Sequence, residues 1–390
     1  MYSARTLKTM RYLGEVQAKQ KLKAKTTNKV IILIPVFKEE LIAKDTVAYF
    51  EKIAAVLNTH VVFISTAREG RKNKNPTHKK ILKLIRGSSS LKIIHFPHRA
   101  GAKAAQINHA LDMFGPGNKT TYFAIFDADS RPDVNGIKYV MRCGLRPHVF
   151  QMPSRYDAGI RKGDHTKQAF ALFQTRWTLC YEIPKWIAWS KDMKNRSRAM
   201  YLVGHGLFVD ASIRFSENTI AEDLELGYRL SSRGTSIQIV PYFDRCTAAS
   251  GLKSNVMQLS RWFYGELMFL GAYMQNIKAC TGRVSYTISY LLRCMHILSW
   301  MFGVPAIVVA LLLSISGGYE FEAVMLIIGI LFYCFALHAI TNRLLRVSNL
   351  SLLLTPARCA IIFLGPMLCI LRIILDFLSI KQLTFNKTGR

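Results

Sequence analysis

Three short stretches of the chain carry residue types able to do chemistry together. "FAIFDADSRPD" (123–133) runs apolar and then sets Asp127 and Asp129 two positions apart. Side chains two apart on an extended chain point to the same side, so the two carboxylates can converge on one point. Two like charges that close raise each other's pKa unless a cation lies between them. Hard oxygen donors favour Mg²⁺ or Mn²⁺, ions that bind through one or two carboxylates plus substrate phosphates. The same acids, with Ser130 and Pro132, also suit the start of a plain turn. "TIAEDLELGYRL" (219–230) adds Glu222 and Asp223 at the head of a helical pattern, where acids also serve simply to complement the helix dipole. "QLSRW" (258–262) puts Gln258, Arg261 and Trp262 on adjacent helical turns. It offers a guanidinium for phosphate and an indole for stacking or packing.

The hydrophobic pattern indicates what positions these groups. "VIILI" (30–34), "VVFIS" (61–65), "LKIIHF" (91–96) and "TYFAIF" (121–126) alternate with helical stretches. Short continuous β-branched and aromatic runs in that arrangement predict βαβ units and a mostly parallel sheet buried on both faces, an α/β domain. Ligands of such sheets bind beyond the carboxyl ends of the strands. The residues there are Pro35 to Glu39, Ser65 to Ala67, His98 to Gly101, and Asp127 to Asp129.

The ordered triple DxD, ED and QxxRW resembles the signature of membrane-bound family-2 glycosyltransferases of the GT-A fold, a group that includes cellulose-, chitin- and hyaluronan-synthase-like enzymes. The resemblance covers residues 28–280. "VIILIPVFKEE" is similar to the family's first strand and turn, with Pro35 in the turn and Glu39 at its nucleotide-contacting acid. "HRAGAKAAQIN" is similar to its Gly-Lys-Ala segment, where Gly101 lets backbone approach and Lys103 faces the diphosphate. The resemblance implies a Rossmann-like GT-A domain at 29–280; its last stretch, 258–280, apolar with aromatics and few charges, suits an interfacial helix, and C-terminal transmembrane helices are expected to follow. It further implies an inverting, metal-dependent hexosyl or N-acetylhexosaminyl transferase using a nucleotide sugar, a UDP-sugar by preference, and a polysaccharide or lipid-linked glycan acceptor. Asp127 and Asp129 would hold Mg²⁺ or Mn²⁺ and the diphosphate, and Asp223, beside Glu222, would be the general base. Gln258, Arg261 and Trp262 would close over diphosphate and acceptor. His205, in the Gly-containing loop "YLVGHGLFVD" (201–210), could contact metal, diphosphate or acceptor, or be structural. "FQTRW" (173–177) and "YEIPKW" (181–186) offer aromatics for sugar stacking, with packing the leading account. The family commonly has an Asp after its second strand that reads base or ribose. This chain has "STAREG", which leaves Ser65, Thr66 and Glu69 as the polar candidates.

The chain holds 53 Lys and Arg against 24 Asp and Glu, a formal charge of +29 that calls for an anionic partner. Met295–Ser316 and Ala323–Ile340 are apolar runs joined by "GGYEFE", read as a transmembrane hairpin rather than two buried helices. Glu320 and Glu322 in the turn, with Arg283, Arg293, Arg343 and Arg346 flanking, place the catalytic domain in the cytoplasm at a plasma or inner membrane. A third segment, 350–380, is broken by Pro356, Arg358, Pro366 and Arg372, and its topology stays open, with a re-entrant or interfacial course preferred. The basic arm (1–28) and the stretch 68–86 suit anionic membrane lipids, at about 1 kcal/mol per basic residue near the surface. No nucleic-acid recognition motif is present, and no signal peptide is expected. Eight scattered cysteines, without CxxC or metal-ligand spacing, suggest a reducing compartment. A non-catalytic nucleotide-sugar sensor or scaffold is the rival reading. Within the enzyme reading, single addition and processive synthesis both remain.

Overall fold

The structure, a computed structural model, describes residues 2–20, 28–100, 102–115, 120–157, 165–191, 200–219, 221–249, 251–280, 282–329, 364–371 and 373–375. Gly101 and most of 350–380 lie outside the described residues.

After α1 (Tyr2–Gln20) the expected alternation runs through β1 (Lys29–Pro35), α2 (Ala43–Leu57), β2 (His60–Thr66), α3 (Pro76–Leu84), β3 (Leu91–Phe96), α4 (Lys103–Phe114) and β4 (Thr121–Ile125). There follow β5 (Arg131–Pro132), α5 (Val134–Arg142), β6 (Val149–Gln151), β7 (Ser154–Asp157), α6 (His165–Trp177), α7 (Ile183–Lys191) and β8 (Leu207–Asp210). The last described elements with regular bounds are α8 (Glu222–Ser232), β9 (Ile237–Ile239), β10 (Asp244–Thr247), α9 (Leu252–Leu267), α10 (Phe269–Asn276) and α11 (Arg283–Ser316).

Seven strands make one sheet in the order β3-β2-β1-β4-β8-β6-β9, and β5-β10-β7 make a small second one. β3, β2, β1 and β4 are mutually parallel, as are β6 and β9. β8 alone runs against its neighbours, because Leu207 pairs with Ile125 at the carboxyl end of β4 and the chain then runs back. Alternate residues of the central strands feed two cores. Ile31, Leu33, Phe123 and Ile125 pack with α4 on one face, and Val30, Ile32, Tyr122 and Ala124 pack with α2 on the other. Burial on both faces explains why these strands read as unbroken apolar runs. β1 lies between β2 and β4, so the chain leaves it in one direction and returns on the other side. That crevice is the switch point where an open α/β sheet takes its ligand.

The basic arm is not detached from the domain: α1 buries Leu13 in the core, and Gln17 donates to the Pro241 carbonyl. The stretch 68–86 contains α3, whose N-cap Asn75 accepts from the His78 amide at 2.7 Å, while Lys72, Lys74, Lys83 and Arg86 stay exposed. The expected single helix at 258–280 is two helices: α9 begins at Leu252, and the chain breaks at Met268 before α10.

α11 bends by 54° between Arg283–Gly303 and Pro305–Ser316, where Pro305 has no amide to donate. Among the described residues no single helix is long and apolar enough to cross a membrane, although these two halves pass that test together. Residues 320–329 are helical, and the rest of Ala323–Ile340 lies outside the described residues. Leu292, Met295, Leu313 and Phe321 stand exposed along this region, more apolar surface than a soluble face normally shows. The first half of α11 is anchored: Tyr286 packs with Leu224 and Tyr228 of α8 and Phe269 of α10, and Arg293 pairs with Glu266 of α9.

Gly227 lets α8 touch the chain beside it, since a Cβ there would sit 2.5 Å from the Leu202 nitrogen and the Tyr201 Cα. Backbone cannot step aside, so Gly227→Ala is expected to destabilise by about 2 kcal/mol or more. Gly271→Ala, with no atom within 4 Å of the new Cβ, is expected to be neutral or mildly stabilising, and chemical denaturation of both variants checks the contrast.

Candidate functional site

At the switch point lies a cavity of about 600 Å³, and its wall contains Pro35, Glu39, Lys103, Asp127, Asp129, His205, Glu222, Asp223, Gln258, Arg261 and Trp262. Pro35 and Glu39 come from the end of β1, Lys103 from the start of α4, and Asp127 and Asp129 from the turn after β4. His205 comes from the loop before β8, Glu222 and Asp223 from the first turn of α8, and Gln258, Arg261 and Trp262 from α9.

Asp127 and Asp129 form a turn and also face the cavity. The Asp127 amide donates to Ser130 Oγ at 3.2 Å, and the Ala128 carbonyl accepts from Thr46 Oγ1 at 2.6 Å and Arg131 Nη1 at 3.2 Å. This bonding leaves the turn little freedom to drift. Lys103 Nζ lies 2.7 Å from Asp127 Oδ1 and donates to the Gly204 carbonyl at 2.5 Å, bridging β4 to the loop that carries His205. Burial by itself would lower the Lys103 pKa, but Asp127 and Glu222 more than offset it and the ammonium is held above its usual range.

The acids of α8 sit in the positive end of their helix, yet they are buried. Asp223 Oδ1 accepts from the Leu224 amide at 2.8 Å, and Gly204 lies so close that a Cβ there would come within 2.9 Å of Asp223 Oδ2. Burial raises Asp223 in spite of Lys103. Burial, and then the Asp223 charge, push Glu222 up to about 7. At neutral pH the pair therefore carries less than two full charges.

His205 Nδ1 stands 3.0 Å from Asp244 Oδ2, and its Nε2 lies 3.3 Å from Ser154 Oγ and 3.4 Å from Tyr156 OH. Burial would lower its pKa, but the hydrogen bond to Asp244 and the charges of Asp244 and Asp127 together outweigh burial and raise it. On α9, Gln258 is buried, whereas Arg261 and Trp262 are half-buried at the cavity wall.

Ser65, Thr66 and Glu69, the polar candidates after the second strand, are not among the residues that line the cavity. Ser65 Oγ is tied to His78 Nδ1 (2.7 Å) and His95 Nδ1 (2.9 Å), and Thr66 Oγ1 accepts from the Arg68 amide at 3.3 Å. Glu69 accepts from the Lys38 amide (2.8 Å) and Thr77 Oγ1 (2.6 Å), bracing a loop in which Lys38 holds φ +56°. Phe37 and Arg68 form that wall instead, with the guanidinium 4.9 Å from the ring centroid. In the sequence Arg68 stands out only as one of a basic run. The far end is built from Trp177, Glu182, Tyr201, Arg293, His296 and Trp300. Trp177 and Tyr181 stack at 4.2 Å across a π-helical turn (Thr178–Glu182), an irregularity common at functional sites. Of the aromatics offered for sugar stacking, Trp177 lines the cavity and Trp186 is fully buried core.

Asp127, Asp129, Glu222 and Asp223 are among the carboxylates that line this cavity with the ammonium of Lys103. An all-oxygen donor pair beside excess negative charge fits a hard divalent cation such as Mg²⁺ or Mn²⁺ at Asp127 and Asp129. A second cluster, His205, Asp244 and Cys246, differs in kind and lies beneath it.

A family model, glycosyl transferase family group 2, matches residues 122–370, from β4 through the QxxRW helix and α11. No curated protein matches the chain at a significant level.

Glu222 carries a pH signature. Its folded pKa, about 7, lies above the ordinary 4.5, so between those values the native state keeps a proton that the unfolded chain has lost. Stability from this group is full below pH 4.5 and falls as pH rises to about 7. In metal-free protein, the unfolding free energy of Glu222→Gln relative to wild type is expected to rise across that window. His78 and His95, both lowered by burial, titrate in both proteins and cancel. A flat difference would remove the assignment.

Proposed function

The chain belongs to glycosyl transferase family group 2, and from that premise we propose that it moves a sugar from a nucleotide-sugar donor, a UDP-sugar, to a polysaccharide or lipid-linked glycan acceptor at the cytoplasmic face of a membrane. The observation that carries this reading is the convergence of Asp127, Asp129, Lys103, Asp223, Arg261 and Trp262 on one cavity from four separate parts of the chain.

In this reading Asp127 and Asp129 hold the divalent cation, which when bound supplies positive charge to the departing diphosphate. Lys103 and Arg261 add cationic donors to the same group, and Phe37 and Arg68 flank the nucleotide end. Asp223 takes the acceptor hydroxyl proton as that oxygen attacks the anomeric carbon. The bond from that carbon to the diphosphate oxygen breaks on the opposite face, so configuration inverts in one displacement with no covalent enzyme intermediate. Burial equips Asp223 for the task by raising its proton affinity, and a protonated Glu222 beside it keeps the local charge low. The acceptor enters past Trp262 and Trp177, toward His296 and Trp300 of α11.

The membrane location is supported by the exposed apolar side chains of α11 and by the combined length of its two halves. A cavity that runs on from the acids to α11 favours an acceptor longer than one sugar. A sensor or scaffold has no use for a buried base beside the donor site, and Asp223 is such a base.

Detergent-purified chain, assayed with UDP- and GDP-sugars and Mn²⁺, tests the proposal. Asp223→Asn is expected to lower transfer by roughly 10²–10⁴-fold while leaving donor binding within a few-fold. Undiminished transfer by this variant would sink the base assignment. Asp127→Ala together with Asp129→Ala is expected to leave the residual donor binding insensitive to Mn²⁺, read by calorimetry with and without chelator. Donor binding in the double variant that still depends on the metal would overturn the DxD site.

A further inference from the structure

Beneath the donor cavity three buried groups meet at one point. His205 arrives from the loop before β8, whereas Asp244 and Cys246 are alternate residues of β10 and share one face of the small sheet. His205 Nδ1 lies 3.0 Å from Asp244 Oδ2 and 3.4 Å from Cys246 Sγ, and the remaining edge, Sγ to Oδ2, is 3.6 Å. We propose that His205, Asp244 and Cys246 form a zinc site, distinct from the Asp127–Asp129 pair, whose fourth coordination position opens toward the donor cavity.

The triangle has the right size. Tetrahedral zinc with bonds of about 2.0–2.1 Å to nitrogen and oxygen and about 2.3 Å to sulfur sets its ligand atoms roughly 3.3–3.6 Å apart. Two of the three edges match, and the third needs a shift of a few tenths of an ångström. The ring is oriented as a ligand's would be, because its other nitrogen is held by Ser154 Oγ and Tyr156 OH. Asp244 has no solvent exposure, and its Oδ1 has no hydrogen-bond partner among the described residues. Its Oδ2 accepts from Ser130 Oγ at 2.8 Å as well as facing His205. Both His205 and Cys246 reach the cavity wall, which provides the open fourth position.

Charge and softness agree with zinc. Zn²⁺ with one thiolate, one carboxylate and one neutral imidazole is electrically neutral, as a dry site requires. Binding needs the Cys246 thiolate and a neutral His205 imidazole, so it displaces whatever protons those ligand atoms carry in the metal-free protein. Thiolate and imidazole favour zinc over Mg²⁺, the reverse of the oxygen pair above. Ser130 connects the two sites, because its hydroxyl donates to Asp244 and accepts from the Asp127 amide. Zinc on Asp244 would thereby stiffen the turn that carries the catalytic carboxylates.

Elemental analysis of untagged, detergent-purified full chain tests this. About one zinc per chain is expected, falling below a tenth in Cys246→Ser and in His205→Gln but retained in Asp127→Asn. Circular dichroism checks that the variants fold. Independently of any variant, wild type stripped of metal and reloaded with Co²⁺ is expected to show a near-ultraviolet thiolate-to-cobalt charge-transfer band. Wild type that holds no zinc and gives no such band would leave a metal-free, hydrogen-bonded His–Asp pair and overturn the proposal. Zinc undiminished in both variants would overturn it as well.

Discussion

Asp127, Asp129, Glu222 and Asp223 occupy one cavity, and four carboxylates at that spacing repel one another unless something answers their charge. The protein answers in three ways. Lys103 sits 2.7 Å from Asp127 with its ammonium kept charged by the same acids. Glu222 holds its proton up to about 7. Amides at the start of α8 meet Asp223, so the helix end that attracts acids is also the one that orients the proposed base. The DxD pair sets two further hard oxygen donors in the same cavity, a donor set that fits a divalent cation.

Holding the acids in one place is a demand on the whole fold. β1 and β4 must be adjacent and parallel so that Glu39 and Asp127 leave the sheet at the same edge. β8 must run backward so that the Gly204–His205 loop closes over that edge, where Lys103 can reach it. α8 must approach Tyr201 and Leu202 backbone to backbone, which only Gly227 allows, for Asp223 to arrive beside Gly204. Each is a packing condition, and each moves a carboxylate if it fails.

The helices beyond the catalytic domain belong to the same unit. Arg293 of α11 is buried with Glu266 of α9 and donates to Tyr181 OH at 2.8 Å, tying the QxxRW helix, α11 and the π-helical turn together. A buried ion pair of this kind adds little net stability but is costly to break, so it serves to define one arrangement. The cavity wall consequently continues from the acids onto α11 without a domain boundary across it.

Much of this was written along the chain. Continuous apolar strands, helical intervals and the acids following β4 are local patterns, and local pattern is enough for an α/β domain and for the DxD, ED and QxxRW groups. Long-range proximity was not legible. Ser65, Thr66 and Glu69 stand in the expected place along the chain, but their side chains are taken up by His78, His95, Thr77 and the Lys38 amide, and Phe37 and Arg68 hold the wall. Trp177 and Trp186 look alike in sequence, and only the turn between them sends one to the cavity and the other to the core. No spacing joins His205 to Cys246, because the β8 reversal and the three-stranded sheet bring them within 3.4 Å. Residue type and short period along one chain decide which groups are available and what they can do. Which of them meet is decided by the sheet order, since a contact between distant segments costs chain entropy that only the finished core repays.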